Sequence, residues 1–186
     1  MGMPVHQSSQ QPQWNADLVR SLPEDGNRYE LIDGMLLVSP APSKQHQRLV
    51  RMLLIALQTY SEQHNLGEAL SSPADIELSP ADLVQPDVFV VPKITSSWDQ
   101  ARDLILAVEV VSPSSGHTDR NVKRPRYQRE RVPEYWIVDP DERVFERWRP
   151  DDHEPEVIAD VITWQPLPDI PALSIPLDDF FRKALQ

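Results

Sequence analysis

Residues 104–111 read Leu-Ile-Leu-Ala-Val-Glu-Val-Val, an apolar run broken by a single carboxylate, Glu109. The run is too short to span a bilayer. Its β-branched content favours a strand over a helix, and its continuity predicts a central strand buried on both faces. An ionised glutamate there is costly unless it meets a cation, hydrogen bonds or a proton. What Glu109 meets therefore constrains the rest of the fold.

The chain has 186 residues, enough for one domain with a real core. A polar, Gln-rich stretch over 1–14 reads as a tail and 15–186 as a single domain, with no internal repeat. The absence of cysteine excludes disulfides and thiolate metal sites and points to a reducing compartment. No basic segment followed by an apolar core opens the chain, and no apolar run approaches membrane length. The expected location is the cytoplasm. A net charge of -11 argues against non-specific coating of nucleic acid. It leaves room for an enzyme that meets phosphate through a metal and a local basic strip.

Asn15 can cap a short helix to Ser21, and Asp33-Gly34 between apolar runs over 28–38 signals a β-hairpin. Ser43 caps an amphipathic helix to about Asn65, with Gly67 as its stop. Residues 68–78 suggest a strand broken at Pro73, and 85–91 a short apolar strand with Asp87 in its first turn. After the 104–111 strand, a helix is expected from Thr118 or Arg124 to Arg131, with Pro125 as its first residue and 119–123 as a separate turn. Strands are expected over 135–138, 143–149 and 156–163, and a last helix over 177–185. A mixed central sheet flanked by helices, with an N-terminal hairpin, packs that order in an α/β (α+β) fold.

Asp87 heads one apolar strand and Glu109 lies near the tail of the next. On neighbouring strands both carboxylates would project from one sheet edge, as hard oxygen donors for Mg²⁺ or Mn²⁺. Like charges in one empty pocket would also repel, so removing either charge should stabilise the metal-free protein. The alternative is that Glu109 pairs with an arginine and Asp87 caps a turn after Pro86.

Gln85-Pro86-Asp87 followed by Glu109-Val110-Val111 on the next strand resembles the PD-(D/E)XK nuclease superfamily. The wider pattern resembles its bacterial Uma-type branch of putative restriction endonucleases. The matching pieces are Tyr29-Glu30-Leu31-Ile32-Asp33-Gly34, His46, Asp87, Glu109-Val110-Val111-Ser112-Pro113-Ser114, Asp119 with Lys123, and Val132-Pro133-Glu134-Tyr135-Trp136-Ile137-Val138-Asp139-Pro140. The likeness spans about residues 28–181.

The resemblance implies a restriction-endonuclease-like core and metal-dependent hydrolysis of a DNA phosphodiester. Asp87, Glu109 and the Val110 carbonyl would hold the metal. Val111 stands where the superfamily motif has lysine, so Lys123 on the following helix is the candidate to orient the attacking water. Arg131 stands where the branch commonly has glycine, which should affect only the helix C-cap.

Glu30 is an accessory candidate if the hairpin folds over the site, and otherwise an outward strand residue. His46 is an accessory candidate for a phosphate or carboxylate, or a structural histidine. Asp119, Asp139 and Asp141 read as turn residues, and Trp136, Trp148 and Trp164 as core or interface. Arg120, Lys123, Arg124, Arg126, Arg129 and Arg131 form a dense basic run. Arg120, Arg124 and Arg126 are the candidates to grip DNA backbone; the alternative is that acidic neighbours such as Glu130 and Glu134 neutralise them. The expected assembly is a homodimer. The competing function is a catalytically silent, nucleic-acid- or protein-binding member of the fold.

Overall fold

The structure, a computed structural model, describes residues 14–93, 103–112 and 115–186. Most of the expected tail, and Pro113-Ser114 after the Glu109 strand, lie outside those residues. Helix α1 (Ala16–Arg20) leads to the hairpin β1 (Arg28–Ile32) and β2 (Met35–Ser39). Asp33 and Gly34 both have positive φ, 49° and 74°, as a two-residue hairpin turn needs. Helix α2 (Lys44–Gln63) follows, capped by the Ser43 hydroxyl, which accepts from the His46 amide. It stops through Asn65 at φ 52°, not through Gly67. Gly67 is needed for another reason: a Cβ there would sit 1.9 Å from the Val91 carbonyl oxygen.

Strands β3 (Glu68–Ser71), β4 (Ile76–Ser79), β5 (Asp82–Val84), β6 (Val88–Val91) and β7 (Leu106–Val110) come next. Then follow α3 (Gly116–Thr118), a π-helical turn (Asp119–Lys123) and α4 (Arg124–Arg129). The chain ends with β8 (Glu134–Asp139), β9 (Val144–Trp148), β10 (Glu156–Ile158), β11 (Val161–Trp164), β12 (Leu173–Pro176) and α5 (Leu177–Ala184). The single strand expected over 156–163 is two: β10 pairs with β9, whereas β11 pairs with β12.

The result is a mixed α+β architecture. A six-stranded sheet runs β10-β9-β8-β7-β6-β3, with β7 and β8 parallel and its other pairs antiparallel. On one face Leu49, Leu53 and Leu57 of α2 and Phe180 and Phe181 of α5 pack on Val90, Val108, Trp136 and Val138. The opposite face offers Phe89, Ala107, Tyr135 and Ile137, covered by Tyr127 of α4 and by Ile32, Ile76 and Val84 of a second sheet. This smaller sheet, ordered β2-β1-β5-β4, carries the hairpin against α4. Arg126 bonds Asp82 at 2.6 Å, and Arg129 bonds Asp33 at 2.7 Å. No helix among the described residues is long and apolar enough to cross a membrane.

Candidate active site

Strand β7 is buried along its whole length, as its composition requires, and Glu109 is 2% exposed. In the antiparallel register of β6 and β7, Val88 faces Val108. One step further along that register, Asp87 stands opposite Glu109. Opposite residues share a sheet face, so both carboxylates project toward α4 and the smaller sheet. They line one cavity of about 340 Å³ together with Arg28, His46, Val110, Ser112, Asp119 and Lys123.

Lys123 answers the question posed by Glu109. Its Nζ lies 2.9 Å from Glu109 Oε1, 2.8 Å from Glu30 Oε2 and 3.5 Å from Asp119 Oδ1. The π turn makes this convergence. The Arg124 amide donates to the Asp119 carbonyl five residues back, so the helix is wider than an α-helix here. Asp119 and Lys123 then project together into the cavity, and Pro125, without an N–H, enters α4 at its first turn. Tyr135 supports the turn by donating to the Asp119 carbonyl at 3.2 Å. Asp119, expected as a turn cap, is thus a buried wall of the site.

Glu30 faces inward from β1: Oε1 accepts the Gln85 amide at 2.7 Å, and Oε2 meets Lys123. Asp87 is held from three sides. Arg28 donates to Oδ1 at 2.8 Å, the Val110 amide donates to Oδ2 at 2.8 Å, and His46 Nε2 lies 2.9 Å from Oδ2. In an extended strand N–H and C=O of one residue point the same way, so the Val110 carbonyl belongs to the same edge.

The two carboxylates differ in their electrostatics. Burial pushes Asp87 up, but the His46 hydrogen bond and charge and the Arg28 charge outweigh it and bring its pKa to about 2. Glu109 moves the other way: burial and the nearby Asp87, Asp119 and Glu30 hold its pKa well above the usual range, against the pull of Lys123. Burial likewise raises Asp119. Burial opposes the charge on Lys123, yet Glu109, Glu30 and Asp119 together keep its pKa well above the usual range. The expectation that removing either of Asp87 and Glu109 would relieve strain therefore applies to Glu109 alone.

Within the basic run Arg120, Arg124 and Arg126 are engaged by the protein, whereas Arg129 and Arg131 stay exposed. Arg126 is buried, with Asp82 and Glu130 each 2.6 Å from its Nη2. Arg120 bonds Asp139 at 2.8 Å and Glu146 at 2.7 Å. Arg124 donates to the Arg120 carbonyl at 2.8 Å and lies 4.5 Å over the Trp148 ring. That carbonyl is free because the residue five on is Pro125, which has no amide to offer. Asp139 also accepts from the Asp141 and Glu142 amides, the turn role expected of it.

Arg28 had no sequence signal, since an arginine at a strand start in a hairpin looks like a surface residue. Asp119 had one, its i,i+4 spacing to Lys123, but reading it requires the helical phase on both sides of Pro125.

The fold is similar to a crystal structure described as a putative nuclease belonging to DUF820 from Anabaena variabilis ATCC 29413. The TM-score is 0.76 at 17% identity, over 92% of this chain and 99% of that one. A search of curated proteins gave no match. The family model described as putative restriction endonuclease matches residues 16–178. That match takes in the hairpin, both carboxylate-bearing strands and the π turn with its lysine, and the chain belongs to this family, Uma2.

Proposed function

We propose that the protein is a divalent-metal-dependent endonuclease that hydrolyses phosphodiester bonds of DNA in the cytoplasm. The observation that carries this reading is the ammonium of Lys123, buried against Glu109 in a cavity shared with Asp87. A structural ion pair needs one carboxylate. Here Glu30, Glu109 and Asp119 crowd a single ammonium, and the upward shift of Glu109 marks a site short of positive charge.

A Mg²⁺ or Mn²⁺ ion fits that deficit. Among the described residues no group of three or more His, Cys, Asp or Glu side chains is set to hold a metal. The protein's share would be Asp87, Glu109 and the Val110 carbonyl, in keeping with an ion that takes one or two carboxylates and fills its shell with water and substrate phosphate. When bound, the ion lowers the pKa of water and neutralises phosphoryl charge. The chain's own groups supply the rest. His46 and the Val110 amide fix the Asp87 carboxylate. Glu30 and Asp119 hold the Lys123 ammonium at the cavity wall, where it can donate to the attacking water or to charge developing on the phosphate. A homodimer would present two such sites, one for each strand of a duplex.

Plasmid nicking with Mg²⁺ or Mn²⁺ tests the reading, with Glu109→Gln as the control. Metal-dependent cutting lost in the variant is expected, and equal background in both proteins would overturn it. One observation favours a catalytically silent, nucleic-acid- or protein-binding protein instead: both Asp87 oxygens already have partners in Arg28, His46 and the Val110 amide. That reading requires no cutting with either metal.

A further inference from the structure

Arg28 is the cation nearest Asp87, and its position suits a second task. It starts β1, and its Nη1 reaches the Asp87 carboxylate at 2.8 Å and the Gln85 carbonyl at 3.1 Å. With Pro40, Ala41 and Pro42, it borders two cavities. One is the carboxylate-lined cavity of about 340 Å³. The other, of about 550 Å³, is bordered by Asn27, Tyr29, Pro40, Gln47 and Gln85. The side chain is 19% exposed, whereas Asp87 is 3% exposed. The guanidinium therefore has room to leave the carboxylate, while the carboxylate has nowhere else to go.

Two chemical facts follow from this placement. A guanidinium on Asp87 Oδ1 neutralises the charge that a metal ion would seek, so the two cations compete for one carboxylate. A guanidinium is also a fork of donors suited to phosphate, and with Arg120, Arg124 and Arg126 engaged by the protein, Arg28 and Lys123 are the cations that line the carboxylate cavity.

We propose that Arg28 is a phosphate-binding residue that stands as counter-ion to Asp87 until a substrate phosphate draws it away, so that phosphate and metal bind cooperatively. This rests on the metal-dependent reading above. By linkage, whatever phosphate gains by taking Arg28, the metal gains at Asp87. Arg28 acts on the metal only through the carboxylate, as a positioning residue, and contacts the substrate directly.

The test is Mn²⁺ binding, followed by the electron paramagnetic resonance signal of the free ion, for wild type, Arg28→Met and Arg28→Gln. Asp87→Asn serves as control. Thymidine 3′,5′-bisphosphate, which has no internucleotide bond to cut, is the phosphate probe. Without the probe, Arg28→Met should bind Mn²⁺ about tenfold more tightly than wild type, the scale of one charge-assisted hydrogen bond. With the probe, Mn²⁺ binding should tighten more in wild type than in the variant. Structural damage would weaken binding, so tighter binding cannot come from misfolding. Arg28→Gln keeps a donor for the Gln85 carbonyl and provides the same comparison if Arg28→Met fails to fold. Equal or weaker Mn²⁺ binding in the Arg28 variants, with binding still abolished by Asp87→Asn, overturns the role of Arg28 and leaves the metal site standing. Absence of Mn²⁺ binding in wild type and Arg28 variants alike overturns both.

Discussion

Lys123 donates to Glu109 across 2.9 Å from a helix fourteen residues further along the chain, above the strand position where Val111 offers only a methyl-bearing side chain. The cation belongs to the π turn, and the carboxylate to the sheet. Lys123→Ala should therefore lower cleavage by ~10²-fold or more, the scale of losing one electrostatic stabiliser, and leave DNA affinity nearly intact. The assay is run well below both melting midpoints, because the variant leaves buried carboxylates unpaired. Normal cutting by Lys123→Ala would remove lysine from the mechanism.

Glu109 should make the metal-free protein less stable as pH rises. Its folded pKa is raised well above the ordinary glutamate value of 4.5, so its contribution is present below that value and lost as pH climbs through the folded value. Melting of Glu109→Gln against wild type should show the variant gaining ground as pH rises above the ordinary glutamate range. A gap that does not change with pH would contradict the raised carboxyl.

Asp87 has the opposite sign. Its pKa falls from 3.8 to about 2, so its contribution is present above 3.8 and lost as pH drops through about 2. Asp87→Asn should cost on the order of 2 kcal/mol at neutral pH, from the size of that shift. Urea unfolding at neutral pH measures it; a more stable variant would mean that repulsion by Glu109 outweighs Arg28 and His46.

Arg126→Met should destabilise by roughly 3–5 kcal/mol, because it strands the buried Asp82 carboxylate. Adding Asp82→Asn should recover much of that loss. DNA affinity, read by fluorescence anisotropy on the folded double variant, should be unchanged. A clear fall in affinity would restore Arg126 to the DNA-contacting surface.

Arg131→Gly should stabilise by about 0.5–1 kcal/mol, because Arg131 holds φ 58° at the C-terminus of α4, a conformation that suits glycine. Its partner Asp151 is exposed, so losing that pair matters little. A lower melting temperature in Arg131→Gly would show that the ion pair matters more than the backbone.

The burial of Glu109 was legible because an apolar β-branched run leaves a strand few places to go. The hairpin was legible for a similar reason: Asp33-Gly34 satisfies a turn that needs two positive φ values. Strand β5 was not, because it is only three residues long and opens on a carboxylate, Asp82, which is buried through Arg126, Ser79 and the Asp33 amide. The basic run misled because local sequence records charge but not partners. Asp82, Asp139 and Glu146 come from distant strands, and they engage two of its arginines, Arg126 and Arg120. Lys123 was legible only through resemblance, since no periodicity rule carries a helical phase through a π turn.

The clamp between the smaller sheet and α4 also sets when the site can exist. Asp33 and Arg129 are 96 residues apart in the chain, and Glu30 and Lys123 span nearly as much. Contacts of such separation raise the contact order, which slows folding. A chain emerging from the ribosome exposes Glu30 and Asp87 well before Lys123 has been made, so its early segments hold acidic groups without the cation that completes the site. The site is thus complete only in the finished fold, which alone brings Glu30, Glu109 and Asp119 around the Lys123 ammonium.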